Sequence, residues 1–183
     1  MRIISGKYRG LVLAEFKGND VRPTSDRVKE SLFNILGGFV VDGTVLDLFC
    51  GSGNLGIESL SRGAKKVHFN DVAKPSIALL NKNLSKLKGE NDVKITCQDY
   101  LACLNSTPLK YDLIFMDAPY AMEVCERALN VIKERNLLND GGIVVYERDE
   151  EFNGYVKGFR LFDKRKYGKI HLSFFALDGD ENE

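Results

Sequence analysis

The sequence predicts an α/β fold: a mostly parallel sheet with helices on both faces and an antiparallel pair of strands at its end. Three observations carry this reading. Short apolar runs at 44–49, 66–71, 93–99, 111–117 and 142–147 alternate with segments of helical spacing. The run at 111–117 is unbroken from Leu113 to Met116, as a strand covered on both faces must be. The first run stops at Gly51, Gly53 and Gly56, spaced G-x-G-x-x-G, and helix-like sequence follows.

Taken in order, residues 1–16 read as a β-hairpin, with Ile3-Ile4 and Leu11-Val12-Leu13 flanking a loop bounded by Gly6 and Gly10. That places Lys7, Tyr8 and Arg9 on its tip. A basic-aromatic-basic tip suits a phosphate backbone with a base to stack on; it equally suits an exposed polar turn. Pro23 cannot sit inside a helix, but Thr24 or Ser25 can cap one. Val28, Leu32, Ile35 and Leu36 then share a face, and Gly37-Gly38 ends the helix. Five strands follow, with helices predicted at 55–62, 74–88 and 121–135. Ile77, Leu80, Leu84 and Leu87 line one face of the second, and Cys125, Ala128, Leu129 and Ile132 one face of the third. A short polar connection joins the third strand to the fourth. The runs at 159–162 and 170–177 form the terminal pair, joined by a basic turn through Lys164, Arg165, Lys166, Tyr167 and Gly168. That makes seven strands.

At 183 residues the chain suits one domain with a small appendage, and 44% hydrophobic content can fill its core. Net charge is zero, but unevenly spread. Residues 1–30 hold seven Lys/Arg against four Asp/Glu, and residues 157–177 hold six against one. If the fold joins these ends they make one positive face; otherwise they are scattered solvated lysines. Cys50, Cys97, Cys103 and Cys125 form no C-x-x-C, so buried thiols of a reduced compartment are expected, with no disulfide framework or metal site. With no apolar stretch near 18 residues and no apolar leader, the expectation is a cytoplasmic protein without a membrane partner.

Ligands of parallel sheets bind at the carboxyl ends of the strands. Four strands in succession deliver an acid there: Asp47, Asp71, Asp99 and Asp117. So many carboxylates suit a pyrophosphate poorly. They suit a cationic or neutral nucleoside cofactor such as S-adenosylmethionine, with Asp71 accepting from the ribose and Asp99 from the adenine amine. A dehydrogenase is the weakest reading.

The fourth strand runs into Asp117, Ala118, Pro119 and Tyr120. That tetrapeptide, the D-x-F-x-G-x-G pattern from Asp47 through Phe49, Gly51 and Gly53, and the acid at 71 resemble the amino-group methyltransferases that use S-adenosylmethionine. The upstream stretch RPTSDRVKESLFN at 22–34 and DLFCGSGNLGIESLSRGA at 47–64 resemble, within them, the RsmD family of small-subunit (16S) ribosomal RNA guanine-N2 methyltransferases. The resemblance runs from the hairpin through Gly168. It implies a Rossmann-like methyltransferase domain over 21–183 with a hairpin extension over 1–20. It implies a monomer acting on ribosomal RNA within a small-subunit particle.

By the same resemblance, Asp117, Ala118, Pro119 and Tyr120 are catalytic. Arg22, Thr24, Asp47, Phe49, Gly51, Gly53, Asp71, Asp99 and Tyr100 hold the cofactor; Lys7, Tyr8, Arg9, Lys164, Arg165 and Lys166 hold RNA. A base amine is a poor nucleophile because its lone pair is delocalised into the ring. The Asp117 carboxylate and a backbone carbonyl can each accept one N–H, localising and aiming that pair. The chain departs from the family at Ala118, where proline is usual, and at Asp71, where glutamate is commoner. Methylation of adenine N6 or of a protein glutamine uses the same tetrapeptide, though glutamine enzymes usually carry Asn at the position of Asp117. A non-catalytic RNA-binding assembly module is the third reading.

Overall fold

A computed structural model describes residues 1–16, 26–117 and 122–179. Its seven strands form one sheet in the order β3-β2-β1-β4-β5-β7-β6. β1 (Thr44–Asp47), β2 (Lys66–Asn70), β3 (Val93–Thr96), β4 (Tyr111–Asp117) and β5 (Leu138–Arg148) run parallel; β7 (Ile170–Leu177) is antiparallel to β5 and to β6 (Phe159–Tyr167). This is the mostly parallel seven-stranded sheet expected.

Each face of the sheet carries its own core. On one, α1 (Asp26–Leu36), α2 (Asn54–Ser61) and α3 (Lys74–Leu84) pack against Val45, Phe69 and Phe115. On the other, α4 (Tyr100–Ser106) and α5 (Met122–Glu134) pack against Leu46, Ile114 and Val144. Cys125, Ala128, Leu129 and Ile132 of α5 are all buried, as their spacing predicts. In α1 the buried stripe is Val28, Lys29, Leu32, Phe33 and Leu36, and Ile35 turns to solvent. Phe33 takes the inward place because its ring meets Phe115 at 5.8 Å.

Three local expectations are corrected. The polar connection after β3 contains α4, a two-turn helix started by Asp99, whose Oδ1 accepts from the Leu101 N–H at 2.9 Å. Lys164 to Tyr167 are not a turn but the end of β6, and the chain reverses at Gly168 and Lys169. Cys97 is exposed, whereas the other three thiols are buried.

The hairpin is present, with the Ile3 N–H donating to Leu11 O and the Gly10 N–H to Ile3 O, both at 2.9 Å. Ile3 and Leu13 enter the first core. The tip packs against the last turn of α2: the Lys7 N–H donates to Ser61 O at 2.8 Å, and a Cβ on Gly6 would lie 1.8 Å from that oxygen.

Candidate active site

At the carboxyl end of β1 the chain turns through two left-handed glycines, Gly51 at φ 51° and Gly53 at φ 85°. A Cβ on Gly51 would meet nothing within 4 Å, so its backbone faces open space that a ligand can enter. One on Gly53 would strike the Leu80 side chain at 2.4 Å. The loop and the helix after it are braced by acids. Asp71 Oδ2 accepts from the Gly51 N–H at 2.9 Å and its Oδ1 from the Ala73 N–H at 2.8 Å. Asp47 Oδ2 accepts from the Gly56 N–H at 2.9 Å. Asn70, beneath the loop, donates to Leu48 O and Gln98 O. It thereby ties the ends of three strands.

Asp47, Asp71 and Asp117 converge on this edge. Asp47 is 2% exposed. Burial pushes its carboxyl up to about 7; the Gly56 N–H pulls the other way, and the charges of Asp117 and Asp71 add to the rise. Burial likewise raises Asp117, to about 6. Asp117 stands in register with Glu147, so β4 and β5 present a second pair of acids side by side. Asp99 lies three residues beyond β3, at the start of α4. Tyr100 packs on Phe49 with ring centroids 5.5 Å apart, and both rings are half-exposed.

The expected residues are therefore only partly brought together. Asp47, Phe49, Gly51, Gly53, Asp71, Asp99, Tyr100 and Asp117 share the carboxyl edge of the sheet. Lys164 and Lys166 reach the same edge on β6. Lys7, Tyr8 and Arg9 do not: the tip sits at the end of α2 and beside Asn91, just ahead of β3, on the opposite edge. Two of its three side chains are also engaged. The Tyr8 hydroxyl lies 2.7 Å from Lys88 O and 2.9 Å from Asn91 Oδ1, and Lys7 Nζ sits 4.8 Å above the Tyr8 ring. Arg22, Thr24, Ala118, Pro119 and Tyr120 lie outside the described residues.

One cluster escaped the sequence reading. Lys29 and Glu58, both fully buried, pair at 3.2 Å. Lys29 Nζ also donates to Asn54 Oδ1 at 2.7 Å and to Arg2 O at 2.6 Å. Glu58 accepts from the Ile4 and Ser5 N–H groups and from Arg62. The cluster ties the hairpin, α1 and the first residue of α2, one position past the glycine loop. Its signal was Glu58 itself, an acid in a helix buried all round, which demands a partner.

The comparisons agree with this geometry. A family model described as "Conserved hypothetical protein 95" matches residues 1–176. YlbH of Bacillus subtilis is 37% identical over 184 residues, covering 98% of this chain and all of that one. Ribosomal RNA small subunit methyltransferase D of Haemophilus influenzae is 36% identical over 155 residues, covering 82% of this chain and 80% of its own. The solved structure of the Escherichia coli protein yhhF superposes with a TM-score of 0.87 at 30% identity, covering 97% of this chain and 98% of that chain. The strand order and glycine loop are those of the S-adenosylmethionine-dependent methyltransferase fold, and by sequence and structure together the chain belongs to the RsmD family.

Proposed function

We propose that this protein transfers a methyl group from S-adenosylmethionine to the exocyclic N2 amine of a guanine in small-subunit ribosomal RNA, acting as a cytoplasmic monomer on RNA within a subunit particle. The observation that carries the reading is the placement of Asp117 at the end of β4, beside the glycine loop on β1 and among acids rather than bases.

The residues present fit the cofactor. The open backbone at Gly51 admits a close-lying chain, Asp71 and Asp99 are acceptors for hydroxyl and amine donors, and Phe49 with Tyr100 offers an apolar wall. Burial first, and then the charges of Asp117 and Asp71, raises the Asp47 carboxyl, and a cation bound beside it would favour its charged form. When bound, S-adenosylmethionine supplies an electrophilic methyl group on a sulfonium.

The chain's own task is to present the amine. The Asp117 carboxylate accepts one amine N–H, the carbonyl of Ala118 accepts the other, and Tyr120 stacks on the base. Pro119 biases the residue before it toward extended backbone, and a carbonyl is present at 118 whether alanine or proline stands there. Arg22 and Thr24 complete the cofactor site in this reading.

The test is nucleoside mass spectrometry of small-subunit RNA, naked and in unmethylated particles, after incubation with the protein and labelled cofactor. N2-methylguanosine is expected. N6-methyladenosine would replace guanine by adenine as the target, and no incorporation on either substrate would leave a binding module.

A further inference from the structure

The carboxyl edge of the sheet changes sign beyond Glu147. The next residue of β5, Arg148, is in register with His171 of β7, and His171 is in register with Lys166 of β6. Residues in register share a face, so Arg148, His171 and Lys166 form one row across three strands, about 4.8 Å apart from strand to strand. Lys164 lies on the same face two residues along β6. The row starts one residue past the partner of Asp117, at the rim of the sheet and on the opposite face from Asp117 and Glu147. Arg165 points to the other face and is taken up by Asp163.

An acidic segment lies over this row. Arg148 pairs with Glu150 at 3.0 Å and with Asp149 at 3.7 Å, and Lys164 pairs with Glu151 at 2.9 Å. Phe152 anchors the segment, wedged edge-on against Tyr146 and Phe175 with centroids 6.3 and 5.1 Å away. Lys164 first, and also His171 and Lys166, hold the Glu151 carboxyl below its ordinary range. The carboxylates are 50–77% exposed, so these pairs are weak and exchangeable.

We propose that the row Arg148, His171 and Lys166, with Lys164, is the track for the phosphates of the substrate RNA next to its target base, and that Asp149, Glu150 and Glu151 occupy it as phosphate mimics until RNA displaces them. This rests on the methyltransferase reading above and names which part of the sheet holds the substrate. Carboxylates already sit on Arg148 and Lys164, so these two positions accept oxyanions in the structure itself. RNA phosphates present the same chemistry in a row, with counterion release to favour them.

The experiment measures binding of a fluorescent, unmodified transcript of small-subunit ribosomal RNA to the full chain across a salt series. Arg148→Gln/Lys166→Gln should weaken binding at least ten-fold near 0.1 M salt and lower the slope of log affinity against log salt by about 1–2. Arg148 is only 15% exposed, so Lys164→Gln/Lys166→Gln runs beside it and should act in the same direction. Glu150→Gln/Glu151→Gln should tighten binding at least three-fold. Lys65→Gln/Lys82→Gln, the same charge change away from the row, should stay within two-fold of the parent. Binding that follows net charge alone, equal in the control and row variants, overturns the track. Unchanged affinity in Glu150→Gln/Glu151→Gln overturns the mimicry. If the parent methylates the transcript while the row variants bind it normally, the track fails and the enzyme reading stands. A parent that neither binds nor methylates ribosomal RNA sinks both.

Discussion

The two halves of one sheet edge differ in sign and in what lies beneath them. On β2, β1 and β4 the edge carries Asp71, Asp47 and Asp117, and burial together with mutual repulsion drives the Asp47 carboxyl upward. On β5, β7 and β6 it carries Arg148, His171 and Lys166, with exposed carboxylates of one short segment paired to Arg148 and to nearby Lys164. The acidic half is built on hydrogen bonds to buried backbone and on a buried ion pair; the basic half is built on exchangeable surface pairs. A stiff acidic half suits a small cofactor and precise methyl transfer, and an adaptable basic half suits a long flexible polyanion.

The largest effect expected is on that stiffness. Lys29→Met leaves Glu58 charged and buried without its ammonium and should cost about 3–5 kcal/mol of stability, read by urea denaturation. Lys29→Met/Glu58→Gln, which removes the buried charge but keeps an acceptor for the Ile4 and Ser5 N–H groups, should recover part of the loss. A single variant as stable as the parent would show that the acidic half does not depend on the pair.

Next is the chemistry. Asp117→Asn should lower the methyl-transfer rate by about 10²–10³, with RNA affinity and its salt slope unchanged. Because burial raises the Asp117 carboxyl to about 6, the parent's rate should climb with pH through that value as the acceptor ionises, then level off. The limb should vanish in the variant. A limb that persists would assign it to another group.

The smallest of the three concerns the cofactor. Asp71→Asn keeps an oxygen for one backbone N–H but removes the charge that a ribose hydroxyl would meet. It should weaken cofactor binding by roughly 1.5–3 kcal/mol, measured by calorimetry, with RNA binding as in the parent. An unchanged heat of binding and affinity would take Asp71 out of the cofactor site and leave it as the brace of Gly51 and Ala73.

Much of the acidic half was legible in the sequence. Gly51 and Gly53 announce a turn that needs left-handed backbone, and Asp47 and Asp117 close their apolar runs at the residues where the strands end. Such signals are local, because each is set by a residue and its chain neighbours. α4 stayed hidden because it has seven residues and only two fully buried side chains, Cys103 and Leu104, too short a stretch for a helical period to emerge. The end of β6 was mistaken for a turn because Lys164, Arg165 and Lys166 lack the apolar alternation of a half-buried strand. It lies at the edge of the sheet and pairs on one side only.

By itself, then, the sequence determined the order of the strands and of the helices other than α4, the glycine turn, the acids at the strand ends and the family. Only the tertiary structure decided that Lys7, Tyr8 and Arg9 lie at the edge away from the site while Lys164 and Lys166 lie beside it. It alone joined Lys29 to Glu58 and aligned Arg148, His171 and Lys166. The physical reason is the sheet order, in which β5 neighbours β7 rather than β6. Residues in register across strands or helices are dozens of positions apart in the chain, and no local pattern of charge or hydropathy records which of them will meet.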